Sequence, residues 1–360
     1  MSPSKLRVLL DGWDLVYRPV SPAAFHLLEI LKALQGEIEL FLAIPARRPA
    51  WLSEGAEVVE LLRACSPLGH LRWVQADLPR LARRVRANLI HTVQAAAPLF
   101  ASQTVVYSPT QIEHPRERSR TFLERLDEAL GWGGLVKAIR VDQDGIFAQA
   151  EAQMRDEPTV EGALADAGVV GVAESSSSVD TPFFLYQSAG SWEELRFLLR
   201  VWSKAASHLG DQAALAIVCL NQAELEKIQA HSTPEFLATL RLFVNVTPPI
   251  FLSLLESAIA LIQLQAEPPW GGTAVRAISL GIPVVGFELP SLGEAVGPAG
   301  YLVPEGDERA LLAAMLTVVV EEEVLTSLRL KARREACRRD MGIFRTGLLR
   351  LYRQALARKF

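Results

Sequence analysis

The chain has 360 residues, half of them hydrophobic and 22% charged, with a formal net charge of −4. That length suits two domains, each with a core to bury, and the slightly acidic balance gives no ground for nucleic acid as a main partner. The average hides an asymmetry. From Arg329 to Lys359 there are eleven Lys or Arg against Glu335 and Asp340, a net +9, which leaves −13 on the preceding 328 residues. A basic helical terminus of this kind either docks on the protein with a solvated outer face or contacts an acidic partner, a peripheral membrane surface included.

Cys65, Cys219 and Cys337 stand at unrelated spacings, which makes neither a metal cluster nor a disulfide framework and suits a reducing compartment. The apolar run in MSPSKLRVLLDGWD is too short and too soon broken for a signal peptide. No stretch approaches the roughly 20 apolar residues needed to cross a bilayer. The expected location is cytoplasmic, with at most peripheral contact at the inner face of a membrane.

In chain order, Leu6–Leu10 has the continuous apolar character of a buried parallel strand. A helix follows over Ala23–Leu34, then strands at Glu39–Ile44 and Leu71–Gln75. Leu78–Arg86 reads as a basic helix, NLIHTV as a strand ending near His91, and Gln103–Tyr107 as another strand. Arg116–Leu130 has helical character and Val136–Val141 strand character. Between Glu151 and Asp180 the composition shifts to Ala, Gly and acids and closes with Ser175–Ser178, a linker signature.

The pattern then restarts. Pro182–Gln187 is a strand, and Ser191 with Glu194 three residues later forms a capping box ahead of Leu195, Leu198, Leu199, Trp202 and Leu209. Strands at Ala213–Leu220, Leu240–Val246 and Ala258–Gln263 alternate with helices at Asn221–Ala230 and Pro249–Glu256, and a helix over Asp307–Val320 follows. Two successive βα arrays predict two doubly wound α/β domains facing a cleft, where ligands bind beyond the carboxyl ends of the strands. The expected division is 1–165 for the first domain with a linker to about 180, 181–340 for the second, and 341–360 for a basic terminal helix.

Residues 257–307, SAIALIQLQAEPPWGGTAVRAISLGIPVVGFELPSLGEAVGPAGYLVPEGD, resemble the donor-binding segment of family 4-type glycosyltransferases with the GT-B fold. The shared pieces are Trp270-Gly271, Ala277, Gly281-Ile282-Pro283-Val284-Val285, Gly293-Glu294, and Gly300-Tyr301-Leu302-Val303 with Gly306-Asp307. NLIHTV, RVDQDGIF and PFFLYQSAGSWEELRFLL are weaker echoes of other parts of that family. The resemblance implies two Rossmann-like domains, a nucleotide-sugar donor as substrate, no cofactor, and retaining transfer of a sugar to a glycan, lipid or small-molecule hydroxyl.

It also implies a donor site at Glu267, Trp270, Gly271, Gly272, Thr273, Arg276, Gly190 and Glu294, with His91 as the catalytic candidate. Glycines allow close backbone approach, and a helix start offers free N–H groups to a diphosphate. The sequence departs from the family in its charges. Of the family's two donor-binding glutamates, the second aligns with Arg276 and the first with Pro268, one residue from Glu267. A guanidinium only donates, so Arg276 cannot accept from ribose hydroxyls, although it can pair with phosphate. The family's Arg and Lys after the first strand of this domain are replaced by Ser188–Glu194, which holds no cation and two carboxylates. Arg276, Arg18 and Arg47 are the candidate substitutes. The alternative to an active transferase is therefore a degenerate homologue, a sugar-nucleotide binder or a partner subunit.

Overall fold

A computed structural model describes residues 6–52, 55–93, 96–108, 126, 130, 139–140, 181–266, 272–337 and 341–357. The first domain holds β1 (Arg7–Asp11), α1 (Trp13–Tyr17), α2 (Pro22–Leu34), β2 (Glu39–Ile44), β3 (Glu57–Glu60), α3 (Pro67–Arg72), α4 (Leu78–Arg84), β4 (Leu89–Thr92), β5 (Thr104–Tyr107) and β6 (Ile139–Arg140). The second holds β7 (Phe183–Gln187), α5 (Trp192–Leu209), β8 (Ala214–Val218), α6 (Gln222–Ala230), α7 (Pro234–Leu237), β9 (Leu240–Phe243), α8 (Pro248–Ser257) and β10 (Ala260–Gln263). It continues with α9 (Thr273–Ser279), β11 (Val284–Phe287), α10 (Pro290–Val296), β12 (Gly300–Val303), α11 (Glu308–Val320) and α12 (Glu322–Cys337), and α13 (Met341–Ala357) ends the described chain.

Both sheets have six parallel strands, ordered β3-β2-β1-β4-β5-β6 and β12-β11-β10-β7-β8-β9. Each is the doubly wound order, with its topological switch between β1 and β4 or between β7 and β10. Helices cover both faces, which is why Val8, Leu9, Leu10 and Leu215, Ala216, Ile217 are fully buried without alternation. The two Rossmann-like domains expected of the GT-B fold are present.

The helix starts follow the sequence. Ser21, Ser191 and Asn221 each accept from the backbone N–H three residues on, and Asp307 does so from Arg309 and Ala310. Behind α9, Gly281 at φ +75° closes a Schellman turn, its N–H bonding Ile278 O and that of Ile282 bonding Ala277 O, both at 2.9 Å.

Two expectations are corrected and one strand is added. Leu71–Gln75 is not a strand: Pro67 to Arg84 is one continuous helical rod, α3 and α4 joined by a π turn at Trp73–Asp77. Ser66 caps it, and Trp73, Val74, Leu78 and Leu81 are its buried side. The edge strand β3 gave no signal because both its ends are exposed glutamates. The Ser191–Glu194 capping box is half formed, since the Glu194 carboxylate bonds Tyr186 and Gln265. The predicted linker around 151–180 lies outside the described residues, and the predicted helix 116–130 does so almost entirely.

Two elements join the domains. Helix α13 packs Phe344, Leu348, Tyr352 and Ala355 into the core of the first domain, alongside α2 and β1. Helix α2 in turn sends Phe25 into the core of the second domain, with its ring 5.4 Å from that of Phe251. Trp73, Val74 and Leu78 belong to a separate core with Leu9, Phe41 and Ile90. Consecutive residues of a strand point to opposite faces, so α13 and α4 lie on opposite faces of the first sheet.

Candidate functional site

The two switch points bring together the ends of β1 and β4 from one sheet and of β7 and β10 from the other. At the end of β1, Asp11 is fully buried; its carboxylate accepts from Trp13 N at 3.1 Å, Trp73 Nε1 at 2.9 Å and Thr92 Oγ1 at 3.4 Å. Burial raises its pKa, and the bonds from Trp73 and Trp13 oppose the rise. Gly12, which follows Asp11, packs on β2: its N–H bonds Ala43 O at 2.8 Å, and a Cβ there would lie 2.6 Å from the same oxygen. That glycine serves strand contact.

His91 sits on β4 beneath this end, wholly buried, with Nδ1 2.6 Å from Tyr352 Oη and Nε2 2.7 Å from Ser108 Oγ. Burial, aided by nearby His26, pushes its pKa down to about 3. Both ring nitrogens are taken by protein hydroxyls, and no face of the ring is open. The catalytic assignment from sequence is therefore replaced by a structural one: His91 fastens α13 to β4 and β5.

The second domain contributes a more polar edge. Gln187 ends β7; its Nε2 donates to Val20 O of the first domain at 2.7 Å, and its Oε1 accepts from Thr273 Oγ1 at 2.5 Å. Next, Ser188 Oγ donates to Glu224 Oε1 at 2.6 Å and accepts from Gly190 N at 3.1 Å. Gly190 has φ +86°, which a residue without Cβ adopts freely. Glu194 holds Tyr186 Oη at 2.6 Å and Gln265 Nε2 at 2.5 Å, tying the loops after β7 and β10 together.

Two carboxylates thus flank the loop after β7, where the resembling family carries its Arg and Lys, and their field is visible in their neighbours. The Tyr186 hydroxyl is raised well above its ordinary pKa by burial and then by Glu194. The Cys219 thiol is pushed up to about 12 by burial and Glu224, which makes it inert. Lys227 of α6 brings one ammonium to the outer side of this loop, 4.1 Å over the Trp192 ring.

Gly272 is the N-cap of α9 and Thr273 its first residue, both buried. Arg276, one turn on, reaches the other domain: Nη2 lies 2.6 Å from Glu29 Oε1, and the guanidinium rests 5.0 Å over the Phe25 ring. Its charge is neutralised, which corrects the expectation of a free phosphate-facing cation. Arg18 pairs with Asp14 at 2.6 Å, and Arg47 is exposed. Glu294 is an exposed residue inside α10, whose N-cap is Leu289, so it caps no helix. Glu267, Trp270 and Gly271 lie outside the described residues.

Gly190, Gly272 and Thr273 are thus linked at one edge of the second sheet through Gln187 and Ser188, while His91 and Glu294 stand apart. Sequence reasoning passed over Asp11, Gln187, Glu224 and Glu29. Asp11 and Gln187 carried one usable signal, a polar residue closing an apolar strand. Glu29 carried none, since its partner is 247 residues away.

Residues 183–320 match the family model described as glycosyl transferases group 1. The second domain is therefore similar to the glycosyl transferases of group 1. The fold of the chain is shared with the sucrose-phosphate synthase of Thermosynechococcus elongatus (15% identity over 98% of this chain and 100% of that one, TM-score 0.63). It is shared equally with Anabaena HepE in complex with UDP-glucose (15% identity, 96% and 99% covered, TM-score 0.60). A glycosyltransferase from Rickettsia africae is a third such structure (13% identity, 99% and 100% covered, TM-score 0.56). No curated protein sequence matches the chain. At these identities the structural likeness carries the fold alone, and function rests on the site. No helix among the described residues is long and apolar enough to cross a membrane, and none of their His, Cys, Asp and Glu side chains cluster as a metal site.

Proposed function

We propose that this protein is a degenerate group 1-type glycosyltransferase that binds a nucleotide sugar, or serves a partner, without catalysing retaining transfer. The observation that carries this is electrostatic. The loop after β7 is flanked by Glu194 and Glu224, Gln187–Leu195 contains no Lys or Arg, and Arg276 is neutralised by Glu29. Transfer from a nucleotide sugar develops charge on the leaving diphosphate, and stabilising that charge is the main electrostatic work. Two carboxylates oppose it.

What supports a nucleotide-sugar ligand is the family match through the donor segment and the bound UDP-glucose of the HepE structure. Polar side chains suited to a sugar or ribose, Gln187, Gln265 and Thr273, meet at this edge, and a ligand would exchange with the bonds they make there to one another, to Val20 O and to Glu194. A second reading, active transfer to an acceptor hydroxyl, is favoured by Lys227, which supplies one cation beside the loop.

Calorimetric titration with nucleoside diphosphates and their sugar conjugates, paired with a donor-hydrolysis assay, separates the readings. Binding without turnover is the expected result. Turnover abolished by Lys227→Ala would establish the second reading in its place. No binding of any of these at millimolar concentration removes the nucleotide sugar and leaves the partner role.

A further inference from the structure

We propose that the first domain rests on an anionic lipid surface through the arginine face of the α3–α4 rod. The rod spans Pro67 to Arg84, and its exposed positions are Leu68, Arg72, Ala76, Arg80, Arg83 and Arg84. The first four recur every four residues. In an uninterrupted α-helix that spacing drifts round the axis by about 40° per step. The π turn at Trp73–Asp77 is wound more loosely and turns the stripe back, so the arginines stay on one side. Arg86 follows at φ +52°, also exposed. None of Arg72, Arg80, Arg83, Arg84 and Arg86 pairs with a carboxylate among the described residues. The one acid on the rod, Asp77, is buried against Arg63 at 2.5 Å.

An apolar group completes the surface. Gln75 bonds Ala97 O at 3.2 Å and Leu99 N at 2.9 Å, which fastens the loop after β4 to the rod and sets Phe100 beside it. Phe100 is 79% exposed, Leu68 in the first turn of the rod 57%, and Leu62, five residues before the rod, 65%. These are three of the most exposed large hydrophobic side chains among the described residues.

Guanidinium groups bonding phosphates while neighbouring apolar side chains enter the acyl boundary is the chemistry of an interfacial lipid site. Arginines without a carboxylate partner among the described residues, on an otherwise acidic chain, give the charge complementarity for anionic headgroups. The basic C-terminal helix is a separate surface. It lies on the opposite face of the sheet, and Arg345 there is paired with Glu37 at 3.1 Å. One flat bilayer does not take both.

The test is co-sedimentation of the full chain with phosphatidylcholine vesicles, with and without phosphatidylglycerol. Wild type is expected to bind only the anionic vesicles. The triple variant R80E/R83E/R84E should lower partitioning about hundredfold, since each basic residue near the surface contributes about fivefold. Phe100→Ser should lower it several-fold, and R350E/R353E on α13 should leave it unchanged. All these residues are exposed, so unchanged thermal unfolding is the control for folding. Absence of vesicle binding overturns the proposal, as does binding lost only in the α13 variant. Stronger binding of this face to single-stranded nucleic acid than to vesicles also overturns it.

Discussion

The pair Arg276–Glu29 is the contact that most directly converts the altered motif into a physical consequence. An arginine stands where the resembling family has a ribose-binding glutamate, and it closes on the other domain. The two side chains are only 18% and 15% exposed, and the bond is 2.6 Å. At that burial salt screens the pair weakly, and removing one partner leaves a desolvated charge behind. Breaking a fully buried pair costs about 3–5 kcal/mol, so the residual exposure here suggests about 2–3 kcal/mol for Arg276→Met. Loss of the stacking on Phe25 adds about 0.5–1 kcal/mol. In a urea-denaturation double-mutant cycle with Glu29→Gln, the coupling energy should be about 1.5–3 kcal/mol. A coupling below about 0.5 kcal/mol would refute the clamp. So would a variant pattern in which Arg276→Met abolishes nucleotide binding while Glu29→Gln leaves it intact, since that describes a phosphate ligand.

Phe25→Ala should cost about 3–5 kcal/mol and split thermal unfolding into two calorimetric transitions, because Phe25 fills the core of the neighbouring domain. His91 is neutral in the fold down to about pH 3, while the unfolded chain protonates below its ordinary 6.5. Its contribution to stability is therefore complete above pH 6.5 and is lost as pH falls towards 3, at up to about 1.4 kcal/mol per pH unit. Denaturation midpoints of His91→Gln, which lacks the titrating ring, should show a shallower acid slope than wild type. Gly190→Ala places a Cβ 2.8 Å from Leu220 Cδ2 at φ +86°, and should destabilise by about 1–2 kcal/mol in the same assay.

Much of the architecture was legible because its causes are local. The runs at Val8–Leu10 and Ala214–Val218, the caps at Ser191, Asn221 and Asp307, and the Gly281 turn each depend on neighbours in sequence. The run Leu71–Gln75 was misread because five mostly apolar residues suit either period, and Ser66 with Pro67 decided for a helix. The resemblance at residues 257–307 was legible as a motif, and so was the loss of cations at Ser188–Glu194, since both are statements about residue identity.

The sequence by itself determined two βα arrays and the arginine at position 276 where the resembling family has a glutamate. Only the tertiary structure decided what the candidate residues do. His91 became a buried tie once Tyr352 arrived from 261 residues away, and Arg276 became a domain clamp once Glu29 met it. Periodicity and caps act over a few residues and are written in order along the chain. The state of an ionisable side chain depends on which distant charge, hydroxyl or ring the folded chain brings beside it, and that is settled by packing.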